Sequence, residues 1–260
     1  MSATIDYLLH LADNAVVLGQ RDAEWCGHGP ILEEDLALAN VSLDLIGQAR
    51  LLYQRAAELK GNGVTEDQLA YFRDSQEFRN YTLLELPHHG ALVGYAVADR
   101  DYATTIVRNF LYSALMVHVW DALQTSADST LAGIAAKSLK EATYHLHHSR
   151  DWLVRMGDGT DESHARAQAA VNHLLPYTEE FWTVSPAETA AVEAGVGVDV
   201  RTLRAAWDAL VNDALAEATL TRPQVRGYVP QGKVGLHSEH LGFLLAEMQS
   251  LARAHPDGCW

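Results

Sequence analysis

Acidic and imidazole side chains at helical spacing are the first feature of this sequence that could do chemistry. In helical bundles, a di-iron centre is held by a Glu-x-x-His pair from each of two helices and by one further Glu from each of two others. The i to i+3 spacing turns both ligands of a pair toward one side of a helix, and iron takes carboxylate oxygen and imidazole nitrogen. Two such pairs are therefore the pattern to look for.

Only one literal Glu-x-x-His occurs in the chain, at Glu85-Leu86-Pro87-His88. Pro87 disfavours helical backbone at the residue before it, and a proline ring is best tolerated in the first turn of a helix. We therefore predict that Glu85 and His88 lie on either side of a helix end and do not share a face. His88 is interpreted as a loop histidine in preference to an iron ligand.

A second candidate is a row of ionisable residues at helical intervals within an otherwise apolar stretch: Lys137, Glu141, Tyr144, His145 and His148. Counted from Glu141, a phenol, Tyr144, occupies the position of the imidazole, and His145 lies one step further round the helix. As a metal motif this is a pair with one ligand replaced. We favour a hydrogen-bonded network in which Lys137 or His145 compensates Glu141, because an unpaired buried charge is costly.

Three polar residues share one side of the first long helical segment, at i, i+4 and i+8: Asn40, Asp44 and Gln48. Asp44 is a candidate for a single remaining carboxylate ligand. We favour a polar seam at a helix interface, in which these short side chains satisfy one another and Arg50 lies close enough to join.

His118 and Asp121 form a similar i, i+3 pair in a more apolar segment. A metal-ligand role is the alternative to a hydrogen-bonded core histidine, and the core histidine is favoured. The segment 233–242 gathers polar residues at a predicted helix start, where backbone N–H groups could hold an anion. Capping by Ser238 and Glu239 explains the same pattern without a ligand, and Lys233 is a lone basic residue.

The elements that would position these residues are helices. Apolar residues recur at threes and fours almost throughout, which predicts an all-α chain of about nine helices. One amphipathic helix is predicted over 32–59, with an apolar face listed by its positions: Leu32, Leu36, Ala39, Leu43, Ile46 and Tyr53. Thr65 with Gln68, and Ser185 with Pro186 and Glu188, carry the capping signals of two further helix starts.

Two segments, 102–124 and 131–156, are apolar on most faces and are predicted to be central helices. The short turn between them requires an antiparallel pair, to which the helix over 32–59 adds an element of similar length. These features predict a ferritin-like helical bundle with additional helices. No linker or repeat divides the sequence, so we expect one domain over residues 1–260.

The composition limits the classes of function. With 48% hydrophobic residues the chain can bury a full core, and Cys26 and Cys259 are too isolated for a disulfide framework or a zinc ribbon, which favours a reducing cytoplasm. A net charge of −15 would repel phosphate backbones and anionic lipid. The longest apolar stretch, 91–98, is far below the roughly 20 residues of a membrane span. Neither nucleic acid nor a membrane is expected as a partner.

Other catalytic motifs are absent from the sequence. It contains no phosphate-binding Gly-x-x-x-x-Gly-Lys-Ser/Thr loop, no dinucleotide-binding Gly-x-Gly-x-x-Gly and no Gly-x-Ser-x-Gly nucleophile turn. Cys26 lies near His28, but a nucleophile would also need an orienting third group and an oxyanion site. Cys26 is therefore interpreted as structural.

Several blocks strongly resemble the PaaC subunit family of the bacterial phenylacetyl-CoA epoxidase, and they extend over nearly the whole chain. The N-terminal blocks are Gly19-Gln20-Arg21, Glu24-Trp25-Cys26-Gly27-His28, Asp35-Leu36-Ala37-Leu38-Ala39-Asn40 and Leu43-Asp44-Leu45-Ile46-Gly47-Gln48-Ala49-Arg50. The later ones are Lys140-Glu141-Ala142-Thr143-Tyr144-His145-Leu146, Gly159-Thr160-Asp161, Thr202-Leu203-Arg204-Ala205-Ala206-Trp207 and Gly235-Leu236-His237-Ser238-Glu239-His240-Leu241-Gly242.

The resemblance implies a part in a multicomponent mono-oxygenase that epoxidises the ring of phenylacetyl-CoA in aerobic phenylacetate catabolism. In that complex the di-iron site belongs to a sister ferritin-like protein, and a separate reductase delivers electrons from NADPH. The resembled subunit holds no metal, which implies a structural partner of the catalytic subunit with no catalytic, cofactor or metal residues. The candidate positions are then vestigial: Asp44, Glu85, His88, Asp121, Glu141, Tyr144 and His145.

Two other functions stay open. The chain could itself be a di-iron oxygenase whose ligands are Glu85, His88, Glu141 and His145 with Asp44 or Asp121. It could instead be a CoA-thioester binding module that uses Lys233 and the turn after it. For the structural subunit, we expect the long helices over 32–59 and 102–156 to supply an interface above about 2,000 Å². Self-association of the isolated chain stays open.

Overall fold

A computed structural model describes residues 2–89, 100–224, 227 and 229–258. Within these ranges the chain forms ten α-helices. Their bounds are α1 Ser2–Ala23, α2 Leu32–Lys60, α3 Glu66–Tyr71, α4 Thr82–Glu85, α5 Tyr102–Leu123, α6 Ser129–Gly157, α7 Asp161–Leu174, α8 Pro186–Glu193, α9 Arg204–Glu217 and α10 Glu239–Ala254. Short 3-10 helices span Ser75–Glu77, Leu175–Trp182, Val200–Leu203 and Gly232–Val234. The all-helical prediction is confirmed.

Four long helices form the bundle. Helix α1 packs along α2, α5 packs along α6, and α2 contacts α6 across the bundle. Helices α7 and α9 cover α5 and α6, while α8 and α10 pack against α1. Buried apolar side chains from all ten helices belong to one cluster. The extent of a single domain over 1–260 stays a prediction.

Helix starts follow the capping chemistry of the sequence. The hydroxyl of Thr65 accepts from the backbone N–H of Gln68, and the two residues form the predicted capping box of α3. Ser185 caps α8 in the same way, with Pro186 in the first turn. Asp128 caps α6 by accepting from the backbone N–H of Leu131, 3.0 Å away, which fixes the turn between α5 and α6.

The prediction that both helices of the central pair are apolar on most faces is right for α5 and wrong for α6. Every residue of α5 from 103 to 116 is buried, because α6, α7 and α9 pack around it. Helix α6 has solvent on one side and buries a single face spaced by threes and fours. The buried residues of α6 are Leu131, Ile134, Ala135, Ser138, Ala142, His145, Ser149, Leu153 and Gly157.

Helix α2 forms over the predicted residues, but the predicted apolar face is not the buried one. Since each residue turns the helix by 100°, α2 carries two apolar rows on opposite sides. The row that is buried in the core consists of Leu38, Val41, Leu45 and Leu52. Helix α1 approaches this row closely at Gly19, which has no side chain. The hydroxyl of Ser42 on α2 donates to the carbonyl oxygen of Gly19 at 2.7 Å. In the predicted row, Tyr53 is buried, whereas four residues are exposed: Leu32, Leu36, Leu43 and Ile46.

In the parts of the chain that the structure describes, no helix combines the length and apolar character needed to cross a bilayer. The apolar stretch 91–98 and Cys259 lie outside the described residues.

Candidate functional site

The centre of the four-helix bundle is the place where a di-iron protein of this architecture would carry its metal. Here it holds a narrow cavity of about 10 Å³, on the order of a single water molecule. Side chains from all four helices line it, among them Leu18 of α1, Leu45 and Gln48 of α2, Asn109 and Ser113 of α5, and Ala142 and His145 of α6.

Two pairs of these residues have the spacing of Glu-x-x-His. Leu45 and Gln48 on α2, and Ala142 and His145 on α6, are each three residues apart and line the same cavity. The residues of the alternative metal motif, Glu141 and Tyr144, do not line this cavity. Tyr144 is 54% exposed on the outer side of α6, and Glu141 lies at the rim of the bundle.

This set of donors does not fit a di-iron centre. Leu45 and Ala142 stand at the first position of each pair, where a carboxylate would be needed, and Leu18 of α1 offers no donor. Among residues 2–89, 100–224, 227 and 229–258, no group of three or more His, Cys, Asp or Glu side chains is placed to hold a metal ion. The sequence reasoning missed Leu45 and Ala142 because an apolar residue in a helix gives no sign that it faces the place of a metal site.

Gln48 and His145 at the centre bond to other protein groups, whereas Asn109 Oδ1 and Trp120 Nε1, which belong to the same lining, have no hydrogen-bond partner among the described residues. Gln48 Nε2 donates to Glu141 Oε2 at 2.9 Å, and His145 Nε2 lies 3.1 Å from Asp44 Oδ2. Burial lowers the pKa of His145, which favours the neutral imidazole, while the hydrogen bond and charge of Asp44 oppose that shift.

These contacts belong to a polar seam between α2 and α6. Its third contact joins Glu34 Oε2 to His148 Nε2 at 2.8 Å, and the hydroxyl of Tyr102 donates to the same oxygen. Lys137 Nζ is 3.3 Å from Glu141 Oε1, as predicted. Of the three predicted seam residues, Asp44 and Gln48 lie at the interface, where they bond to α6 and not to one another, and Asn40 is exposed.

Arg50 is not part of the seam, contrary to the prediction. It bonds to Glu66 of α3 at 2.7 Å, because it lies on the exposed side of α2, away from α6.

One carboxylate is buried beside the bundle centre. Asp22, four residues after Leu18 on α1, accepts from Asn109 Nδ2 at 3.0 Å and is completely buried. Burial raises the pKa of Asp22 to about 7, although the charge of Arg108 opposes the shift. Burial lowers the pKa of the Arg108 guanidinium to about 10. Among the described residues, Asp22 belongs to no group of three or more His, Cys, Asp or Glu side chains that could hold a metal ion.

Glu85 and His88 are separated by the end of α4, as Pro87 predicts. Glu85 is completely buried and joins α4 to the start of α10. Its carboxylate lies 2.8 Å from His237 Nδ1 and accepts from the backbone N–H of Ser238 at 2.5 Å. The backbone N–H group of Ser238 at the start of α10, a candidate donor to an external anion, is thus occupied by the side chain of Glu85.

His88 follows in the loop and is 2% exposed. Its Nδ1 is 2.6 Å from the hydroxyl of Thr105 and its Nε2 is 2.8 Å from the carbonyl oxygen of Arg21. Burial, reinforced by the charge of Arg108, lowers the pKa of His88 to about 4. His88 is a loop histidine, as interpreted, but a buried and neutral one.

Lys233 is not available to a phosphate group. Its ammonium is buried and donates to Glu188 Oε1 at 2.9 Å and to the carbonyl oxygen of Thr183. The hypothesis of an anion site built on Lys233 is therefore wrong. The ion pair with Glu188 compensates the burial of Lys233, so this residue has a structural role in the fold.

The remaining candidates lie away from the bundle centre. Asp121 is exposed and accepts from the side chain of Gln124 at 3.1 Å. His118 is only half-buried, and its Nε2 has no hydrogen-bond partner among the described residues, so the prediction of a satisfied core histidine is wrong. Cys26 is exposed and free, and no packing role follows from its position.

The fold and its centre define a class: a helical bundle with the architecture of di-iron carboxylate proteins, in which the described residues that line the central cavity include no carboxylate. The chain belongs to the family of phenylacetic acid catabolic proteins, whose family model matches residues 1–260. This family is ferritin-like, in agreement with the fold. The chain is 47% identical to the PaaC subunit of the 1,2-phenylacetyl-CoA epoxidase of Escherichia coli (strain K12), over 260 residues and the full length of both proteins.

Proposed function

We propose that this chain is the non-catalytic, structural subunit of a phenylacetyl-CoA epoxidase in aerobic phenylacetate catabolism. It pairs with the di-iron catalytic subunit and supports it. The similarity to an epoxidase PaaC subunit over the full length supports the complex and the pathway. The bundle centre supports the structural role.

The observation that carries the structural role is the pair of apolar side chains at the centre. A di-iron site takes carboxylates from all four helices, and iron without them would face the hydrocarbon of Leu45 and Ala142. The cavity between these side chains, about 10 Å³, is on the order of a single water molecule. In the proposed complex, the iron belongs to the catalytic subunit, and electrons from NADPH reach it through a separate reductase.

The polar seam supplies the cross-links between helices that metal ligands would otherwise provide. Asp44 with His145, Gln48 with Glu141, and Glu34 with His148 each join α2 to α6 by a side-chain contact of 3.1 Å or less. A bundle tied in this way holds its shape without a metal. It therefore presents a fixed surface to its partner.

The alternative, an oxygenase with its own di-iron centre, needs its ligands in one place. Glu85 and His88 lie at the end of α4, Asp121 is exposed, and only Asp44, Glu141 and His145 lie along the polar seam. Asp44 and Glu141 are partly exposed there, with 39% and 17% of their side chains accessible. These residues do not converge on the bundle centre.

Iron content separates the two functions. The chain is produced alone in iron-replete medium, and its iron is measured by mass spectrometry beside the separately purified catalytic subunit. We expect less than about 0.1 iron per chain, and about two per catalytic subunit. A value near two in this chain would overturn the proposal. Turnover of phenylacetyl-CoA in the reconstituted complex should depend on adding this chain although it brings no metal.

A further inference from the structure

A row of apolar side chains on the outer side of α2 has no partner in the described part of the chain. Leu32 is 71% exposed, Leu36 56%, Leu43 66% and Ile46 37%, with half-buried Ala39 in the middle of the row. Together with Ile31 these residues expose roughly 500 Å² of apolar surface, which is the size of the largest patch on a typical monomer. We call this set, from Leu32 to Ile46, the outer row.

The spacing of the outer row indicates what it binds. Its members follow one another at intervals of four, three, four and three residues, which is the repeat of a coiled-coil contact line. Such a line covers about 21 Å of helix. Knobs at this spacing fit between the side chains of another α-helix, whereas a strand or an extended peptide has no matching repeat.

The outer row leads into an open cleft at its C-terminal end. Ile46 lines this cleft of about 750 Å³ together with Phe72 after α3 and Leu251 of α10. Phe72 is 39% exposed and Leu251 56% exposed, so apolar surface continues beyond α2. Row and cleft together approach the roughly 800 Å² per partner of a stable interface.

Charge decides between a second copy of this chain and a different protein. Each copy carries a net charge of −15, and the outer row is bordered by Glu33 and Asp44, while the charge of Arg50, one turn beyond Ile46, is paired with Glu66. Two copies face to face would bring these carboxylates and the overall charges together, which disfavours association. The row therefore fits a helix with an apolar contact line and basic flanks on another protein.

We propose that the outer row of α2 is the docking surface for a helix of the di-iron catalytic subunit of the epoxidase. This proposal rests on the proposed function, which supplies the partner. The row that the core leaves exposed is then not a packing defect of α2. It is the reason why one helix carries apolar residues on two opposite sides.

The test is the affinity between the separately purified catalytic subunit and three forms of this chain, measured by calorimetry and by sedimentation. The forms are wild type, the double variant Leu36→Asp with Leu43→Asp, and the control Phe243→Asp. Phe243 is 71% exposed on α10, outside the row and the cleft lining, so it matches the exposure of the substituted leucines. All three should melt within about 2 °C of one another, because exposed substitutions hardly change stability.

We expect the double variant to bind at least about thirtyfold more weakly, since a carboxylate replaces an interface anchor at each site, and the control to bind within about threefold of wild type. Wild-type affinity in the double variant would overturn the docking surface and leave the proposed function standing. Loss of binding in the control alone would also overturn it. No binding of the wild-type chain to the catalytic subunit would overturn the proposed function itself. A wild-type dimer that the double variant disperses would show that the row holds a second copy, against the proposal.

Discussion

His145 Nε2 of α6 lies 3.1 Å from Asp44 Oδ2 of α2. His145 is at the second position of an i, i+3 pair that faces the bundle centre, the position at which a di-iron protein has its imidazole ligand. Asp44 reaches this imidazole from the rim, with 39% of its side chain accessible to solvent. The helix pair is thus joined by a hydrogen bond in the place where a metal would join it.

This contact predicts how the pKa of His145 responds to loss of Asp44. Burial lowers that pKa, while the hydrogen bond and the charge of Asp44 raise it. In Asp44→Ala the opposing contribution is removed, so the pKa of His145 should fall further below its ordinary value. Titration of the imidazole carbon resonances by NMR measures this change. Asp213→Ala, which removes an exposed partner of Arg150, should leave His145 unchanged. An equal pKa in Asp44→Ala would show that the contact is not formed in solution.

The seam also predicts a mild effect of Glu141→Gln. The amide oxygen can still accept from Gln48, and only the contact with Lys137 loses its charge. Because the Lys137 side chain is 58% exposed, we expect a loss of at most about 1 kcal/mol in the free energy of unfolding, measured with urea.

Turnover in the reconstituted complex should persist in Glu141→Gln, with any loss explained by weaker folding or pairing. Glu162→Gln is the matched control, since Glu162 forms an exposed ion pair with Arg166 on α7. Complete loss of turnover with stability and assembly intact would mean that Glu141 takes part in the chemistry.

The helices and their caps could be predicted from the sequence because the signals are local. The capping box of Thr65 and Gln68 needs only residues that are three apart, and the predicted boundaries of α2 hold to one residue. The choice between the two apolar faces of α2 is not local. It depends on the close approach of α1 at Gly19, a residue 23 positions from its contact Ser42.

The sequence predicts which helices form the bundle centre, but not which of their residues face it. Polar residues such as Glu141 and Tyr144 attract attention in a sequence, but the positions that decide metal binding are the apolar Leu45 and Ala142. Their register becomes visible only when four helices converge on one cavity. Lys233 shows the same limit of sequence analysis. From the sequence its charge suggests an anion-binding group, and only the structure shows that it pairs with the buried Glu188.

Buried His88 predicts a loss of stability in acid. Its pKa is lowered from 6.5 to about 4 by burial and by the charge of Arg108. Below pH 6.5, His88 is protonated in the unfolded chain but stays neutral in the folded chain. The free energy of unfolding therefore falls as the pH is lowered from 6.5 toward 4. The difference in pKa corresponds to up to about 3 kcal/mol.

Urea unfolding at several pH values measures this dependence. In His88→Gln the fall between pH 6.5 and 4.5 should be clearly smaller than in wild type, whatever the stability at pH 7. His147→Gln, which replaces an exposed histidine of α6, should retain the wild-type slope. If His88→Gln also retained that slope, His88 would have to be protonated in the folded chain.

The register of α6 at the bundle centre predicts opposite outcomes for two adjacent substitutions. Ala142 is 3% exposed and lines the cavity of about 10 Å³, so in Ala142→Glu a carboxylate has no space there, and the imidazole of the lining, His145, is already bonded to Asp44. We expect this variant to lose at least about 3 kcal/mol of unfolding free energy, or to fail to fold.

Thr143 points to solvent one residue later, and Thr143→Glu removes only the bond from its hydroxyl to the carbonyl oxygen of Leu139. Glu also favours a helix more than Thr does, so this variant should remain within about 0.5 kcal/mol of wild type. Urea unfolding of both variants gives the comparison. Equal stability of the two, or the reverse order, would place a different face of α6 toward the bundle centre, and Ala142 would no longer occupy the first position of a pair that faces the cavity.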